Sequence, residues 1–296
     1  MRTPSLASPA LLAAISLLTG TPSAGQSAPN CTSCEEWNVT QAPFRLYGNA
    51  YYVGVRGLSS LLLTSDKGHI LIDGALPESA PKIAASIREL GFRVEDVKLI
   101  VNTHDHYDHA GGIAELQRLS GAKVAASAPS AKVLKEGKSE PDDPQFGTLP
   151  PIAPVAHVQV FKDGETLRVG PLAITAHLTP GHTAGGTSWT WQSCENDRCL
   201  NMVYADSISA VSAPGYKFSE HSAVLKRFEK TFATLAALPC DILVTPHPEA
   251  ANLWTRLDKR DVDHDPSGLV DAQACQMYVD NARNRLRDRV ADETKK

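Results

Sequence analysis

Basic residues are not in surplus in this chain of 296 residues: 29 Lys and Arg stand against 33 Asp and Glu, a net charge of −4. A mildly acidic balance offers a phosphate backbone or an anionic membrane little to bind, so neither is an expected partner. Long apolar runs are scarce as well. Past the N-terminal stretch no segment is apolar for long enough to cross a bilayer, and no membrane anchor is expected. Serine catalysis lacks support, because Ser130-Ala131-Lys132 has the wrong spacing for a lysine-activated serine. What remains is ordinary globular material, 42% hydrophobic and 21% charged, with ample core for one large domain or two small ones.

The N-terminus reads as a targeting segment. Arg2 precedes an apolar run from Ala10 to Leu18, then Gly20, Pro22 and the small residues Ser23-Ala24-Gly25. That is the pattern of a secretory signal at residues 1–24, leaving residues 25–296 as a single domain exported to the periplasm. Export gives the six cysteines an oxidising compartment in which to pair. Cys194 and Cys199 bracket a hairpin tip. A Cys240–Cys275 bridge would staple the last helix to the core. Cys31 and Cys34 form a C-x-x-C, which can be a redox pair or half a zinc site but in an exported chain favours a short-loop disulfide.

Alternation and turn residues predict an antiparallel meander over residues 44–55, 59–64 and 69–73, then a helix over 79–90 closed by Gly91. A strand at 97–101, a helix to Leu119, a strand at 124–126 and a short helix at 129–134 follow. Residues 139–154, rich in Pro, Asp and Gly, read as a loop at the rim of a site. Strands at 158–161, 166–169, 172–178, 187–192 and 200–205 come next. A helix from Ser222 as N-cap through Leu238, a strand at 242–244 and a final helix from about Ser267 complete the chain. Two strand-rich halves, each followed by helices, fit an α/β sandwich of two facing sheets with helices outside.

The chemistry concentrates directly after the strand at 97–101. Thr103-His104-Asp105-His106-Tyr107-Asp108-His109-Ala110-Gly111-Gly112 puts three histidines and Asp108 within six residues. Imidazole and carboxylate are the donors a borderline-soft divalent metal prefers, and no packing requirement calls for such a cluster. His182, in Thr179-Pro180-Gly181-His182-Thr183, and His247, in Thr245-Pro246-His247-Pro248, also leave strands at proline turns. His69, His157, His177, His221 and His264 fit no such pattern and read as packing or surface residues.

His-x-His-x-Asp-His after a strand, then Pro-Gly-His-Thr, then a late strand ending in His resembles the metallo-β-lactamase superfamily over nearly all of the mature chain. The resemblance implies an αββα sandwich of two mixed sheets. It also implies two Zn2+ ions per chain, one held by His104, His106 and His182, the other by Asp108, His109 and His247. Asp with two His in the second set is similar to the third subclass of the class B β-lactamases, as are the segment Ser207 to Tyr216 and a Cys240–Cys275 disulfide. The implied activity is zinc-dependent hydrolysis of the β-lactam amide of penicillins, cephalosporins and carbapenems, conferring antibiotic resistance. Asp108 and Ser207 would serve catalysis, and Ser207, Ser209, Gln145 and Trp37 would contact substrate, with Phe146 as a further apolar wall. A monomer is expected. Two alternatives stay open: a hydrolase of the same fold acting on a lactone, thioester or phosphodiester, and a non-catalytic zinc-binding module. Asp206 bridging two metals would mark the thioesterase form.

Overall fold

The computed structural model describes residue 1 and residues 31–295, so the signal segment read at residues 1–24 lies, Met1 apart, outside the described residues. A short helix α1 (Cys34–Trp37) leads into β1 (Phe44–Tyr47), β2 (Ala50–Tyr52), β3 (Leu61–Leu63) and β4 (His69–Ile72). Helix α2 (Ala80–Glu89), β5 (Val97–Val101), a single turn α3 (Tyr107–Ala110), α4 (Ile113–Ser120), β6 (Lys123–Ala126), α5 (Ala128–Glu136) and β7 (Val158–Val160) complete the first half. The second half runs β8 (Thr166–Val169), β9 (Leu172–Leu178), β10 (Thr187–Glu195), β11 (Arg198–Tyr204), α6 (Ser222–Ala236), β12 (Ile242–Val244), α7 (Leu253–Asp261) and α8 (Ala274–Thr294).

Seven strands form one sheet in the order β1-β2-β3-β4-β5-β6-β7, and five form the other in the order β12-β11-β10-β9-β8. Both are mixed: β1 to β4 pair antiparallel and β4 to β7 parallel, while β11–β12 is the parallel pair of the second sheet. Strand alternation assigns each residue to a layer. Leu61, Leu63, Ile70, Ile72 and Val101 face Trp189, Met202, Tyr204 and Val244 between the sheets. Their neighbours Leu62, Leu71, Ile100 and Val124 face outward and pack under α2, α4 and α5 with Ile83, Ile87 and Leu116. Val203 and Leu243 do the same for the second sheet, under α6 and α8 with Phe228, Phe232 and Val279. The result is the four-layer αββα sandwich that the strand pattern implied.

Several local expectations are corrected. The predicted strand over 44–55 is broken by a turn at Gly48 and Asn49. Ser222 is the first helical residue of α6 rather than its N-cap, which is His221 with no side-chain cap bond. The last helix begins at Ala274, and α7 was not anticipated, because only Leu253 and Trp254 of its nine residues are buried and its apolar stripe is too thin to read. All six cysteines are paired, as Cys31–Cys34, Cys194–Cys199 and Cys240–Cys275. Among the described residues no helix is long and apolar enough to cross a membrane.

Candidate metal centre

The parallel pairing of β4 and β5 brings the end of the motif strand to one edge of the sandwich. Asp73, just past β4, is fully buried and accepts from Thr103 N–H at 2.7 Å, from Thr103 Oγ1 at 2.9 Å and from Tyr204 OH at 2.8 Å. Burial pushes its carboxyl up to about 7 against those hydrogen bonds. The second sheet clamps the same loop, through Thr187 N–H to Thr103 O at 2.7 Å and Trp189 Nε1–H to Asn102 O at 3.0 Å. The single turn α3 then carries Asp108 and His109. Gly112 ends the motif where a Cβ would sit 2.2 Å from Gly74 O, so no side chain fits there.

His182 follows β9 in a loop held by Thr231 Oγ1–H to Pro180 O at 2.7 Å, and His247 follows β12 in a loop held by Ser59 Oγ–H to Thr245 O at 2.7 Å. The two loops complete two donor groups, His104–His106–His182 and Asp108–His109–His247, in each of which one ligand atom per residue lies within 4.8 Å of the others.

The donor atoms suit a metal. In the second group Asp108 Oδ2 is 3.1 Å from His109 Nε2 and 3.3 Å from His247 Nε2, and the two nitrogens are 3.3 Å apart. A tetrahedral ion with bonds of about 2.0–2.1 Å separates its ligands by about 3.3 Å. In the first group each ring has one nitrogen tied down. His104 Nδ1 meets Asp206 Oδ1 at 2.8 Å, His106 Nε2 meets Asp143 Oδ2 at 2.8 Å, and His182 Nδ1 meets Ser209 O at 2.9 Å. Of the remaining nitrogens, His104 Nε2 is buried with no hydrogen-bond partner among the described residues, and His106 Nδ1 has Gln145 Nε2 at 3.4 Å. Orientation of a ligand imidazole through its second nitrogen is the usual support of such a centre.

Electrostatics agree. Burial and the neighbouring His109 and His106 hold His104 well below the ordinary imidazole range, and burial with His106 holds His182 down to about 3. Both are therefore neutral, as ligands must be. Burial also pulls on His106, but the Asp143 carboxylate outweighs it and its pKa is raised. Asp108 resists burial through His109 and His247 and stays ionised, well below the usual carboxylate range. Burial drives Asp206 far upward in the absence of an ion.

The groups lie on the floor of a cavity of about 510 Å³. Trp37, Gln145, Ser207 and Ser209 all line it. Trp37 packs on the His247 ring at 5.0 Å, and Gln145 Nε2 lies 3.4 Å from His106 Nδ1. Phe146 is a correction: it is 49% exposed and does not line the cavity, where Leu149, Pro150 and Val211 supply apolar surface instead. A larger cavity, about 830 Å³, opens against β8, β9 and β10 but contains neither donor group. Asp206 belongs to neither group, and its Oδ1 holds His104 Nδ1. Asp73 and Asp143 were missed. Asp73 could have been noticed as a lone acid ending the apolar run His69–Ile72; Asp143 carries no local signal, since only folding brings the rim loop to His106. The spacing Ser-x-x-Lys does occur at Ser79–Lys82 and Ser120–Lys123. Ser79 and Lys82 both bond Asn38, Ser120 bonds Leu116 O, and none of the four lines the cavity.

Two sets of nitrogen and carboxylate donors at one edge of an αββα sandwich define a metal-dependent hydrolase. A family profile of the metallo-beta-lactamase superfamily matches residues 53–193. The Rm3 metallo-beta-lactamase is 56% identical, with a TM-score of 0.87 over 89% of this chain and 99% of that one. MEM-A1, a subclass B3 metallo-beta-lactamase from a soil metagenome library, is 52% identical, with a TM-score of 0.85 over 88% of this chain and 99% of that one. The chain belongs to the metallo-β-lactamase superfamily, and within it to the third subclass of the class B enzymes. Hydroxyacylglutathione hydrolase of Rhodopseudomonas palustris is 32% identical over 147 residues, 47% of each chain. The chain thus spans about half the length of the curated relatives it matches.

Proposed function

We propose that the protein hydrolyses the β-lactam amide bond of penicillins, cephalosporins and carbapenems with two zinc ions, as a monomer exported to the periplasm and protective against these antibiotics. The observation that carries this reading is the pair of donor groups on the floor of one cavity, in a chain that aligns with nearly the whole of two metallo-β-lactamases at over half identity. Three disulfides and the N-terminal targeting pattern support export.

Zinc held by His104, His106 and His182 would supply positive charge for the carbonyl oxygen, zinc held by Asp108, His109 and His247 would supply it for the leaving nitrogen, and together they would acidify water towards neutral pKa. Asp108, ionised and beside both sets of histidines, orients the attacking water. Ser207 and Ser209 offer hydroxyl donors to the substrate carboxylate, Gln145 a polar edge and Trp37 an apolar wall. Attack forms a C–O bond and breaks the lactam C–N bond; one water proton ends on the ring nitrogen and the other leaves as the product carboxylate ionises.

Thioester hydrolysis would call for Asp206 as a shared ligand; Asp206 stands in neither donor group and its Oδ1 bonds His104 Nδ1, which favours the β-lactam reading. The deciding assay runs a chromogenic cephalosporin, a lactone and a thioester with and without chelator, beside His182→Ala. Cephalosporin turnover abolished by chelator and by His182→Ala is expected; turnover indifferent to both would overturn the proposal.

A further inference from the structure

The segment ahead of β1 forms one wall of the metal cavity, and the Cys31–Cys34 disulfide lies within that segment. Cys31, Thr32, Ser33 and Trp37 all line the cavity. Residues 37–39 are well anchored. Gly57 N–H donates to Trp37 O at 2.9 Å and Arg56 N–H to Val39 O at 2.8 Å, while Asn38 takes bonds from Ser79 and Lys82. Gly57 also makes room for the strap, since a Cβ there would come 2.5 Å from Trp37 Cα. Upstream, no residue of α1 is buried and Ser33 makes no side-chain cap bond; among the described residues, positions 31–33 are held by the backbone bonds Trp37 N–H to Ser33 O at 2.9 Å and Cys34 N–H to Cys31 O at 3.5 Å and by the bridge from Cys31 to Cys34, whose side chain packs against the core beneath α2 and α4.

We infer that the turn closed by Cys31–Cys34 is a specificity-determining wall, contacting the part of the substrate that lies beyond the ring nitrogen. The side it occupies follows from the contact of Trp37 with His247, which belongs to the Asp108–His109–His247 group. Under the proposed function that half of the cavity takes the leaving nitrogen, and on a bicyclic β-lactam the nitrogen carries the fused ring and its substituent. Another part of the lining, Gln145, Thr148, Leu149 and Pro150, begins beside His106 at Gln145 and would meet the acyl side chain instead. An apolar sulfur surface flanked by the Thr32 and Ser33 hydroxyls suits a bulky substituent with a polar tip. This assignment rests on the proposed β-lactam hydrolysis.

The test uses two cephalosporins identical except for a small or a bulky substituent on the fused ring, with zinc content and circular dichroism as folding controls. In Cys31→Ser/Cys34→Ser, KM for the bulky compound should rise about five-fold, the loss expected when a contact of roughly 40 Å² is given up. Its kcat and the KM for the small compound should stay within about two-fold, because no group acting on the reacting atoms has moved. Cys194→Ser/Cys199→Ser, whose bridge closes the β10–β11 hairpin away from this cavity, should leave the ratio of the two KM values unchanged. An unchanged ratio in a folded, zinc-loaded Cys31→Ser/Cys34→Ser protein overturns the inference, as does the same shift in the control. If that variant fails to fold, Thr32→Trp at the exposed face of the turn must raise KM for the bulky compound selectively; no selectivity overturns the assignment. Absence of chelator-sensitive turnover of either compound by the unaltered protein is a different outcome, and refutes the β-lactam reading itself.

Discussion

Replacing Asp206 separates a positioning carboxylate from a metal ligand. Its Oδ1 lies 2.8 Å from His104 Nδ1 in a fully buried site, and Oδ2 has no hydrogen-bond partner. Asp206→Asn keeps the volume and an acceptor for His104 Nδ1–H but removes the carboxylate charge that Asp206 would carry once a cation sits on His104. A charge-assisted hydrogen bond is worth about twice a neutral one, a difference on the order of 1–1.5 kcal/mol, so metal affinity of the three-histidine group should fall about ten-fold. Asp206→Ala removes the acceptor altogether, and loss of such a support costs about 10–100-fold in affinity. In neither variant should the number of bound ions change. A carboxylate shared between two ions would behave differently, because its loss strips a ligand from both and the weaker ion is not retained. Metal-free protein titrated with zinc against a chromophoric chelator, with elemental analysis after dialysis, reads both quantities. Wild-type affinity in Asp206→Ala would refute the positioning role, and a drop to one ion in Asp206→Asn would make Asp206 a ligand.

Three further outcomes are expected. His182 is held down to about 3, by burial first and His106 second. A depressed folded-state pKa contributes stability that is complete above the unfolded value near 6.5 and is lost as the pH falls towards 3. Metal-free protein should therefore lose about 1.4 kcal/mol per pH unit for this group below pH 6.5. Urea midpoints from pH 7 to 4 should fall less steeply in His182→Gln, and identical slopes would contradict the assignment. Phe228, on the buried face of α6, is fully buried, and its ring is where a Cβ on Gly181 would come within 2.8 Å, so it floors the His182 loop. Phe228→Ala should cost about 3–5 kcal/mol in chemical denaturation and weaken zinc binding; a cost under about 1 kcal/mol would show that the core closes without it. The Cys240–Cys275 bridge spans 35 residues and ties β12 to α8, so its removal by paired Ser substitutions should cost about 4 kcal/mol in non-reducing urea melts, and an unchanged midpoint would deny it a stabilising role.

Much of this protein was legible from local pattern. The apolar runs of β3, β4 and β5 and the apolar stripe of α6 are short-range signals that located these elements, but β3 and β4 are buried on both faces, so which residue faces which layer was decided by packing. Failures came where the local signal was thin or the decision was made elsewhere in the chain. α7 buries two residues, so its period is hidden among charged ones, and the start of α8 was placed early because residues 267–273, which bury Leu269, form turns rather than helix.

The metal centre divides the same way. His104, His106, Asp108 and His109 lie within six residues on a loop and one helical turn, so their donor chemistry was written in consecutive letters. Residue type alone determined that a divalent metal belongs there. Which donors share an ion, which imidazole nitrogen faces it, and that Asp206 and Asp143 stand behind the ligands were decided only when two sheets packed face to face. That packing joins Thr187 to Thr103 and Asp206 to His104, and the folding-back of the rim loop brings Asp143 to His106, contacts between residues far apart in the chain. Sequence periodicity reports which face of an element is buried, and it is silent on what the opposite element will place against it.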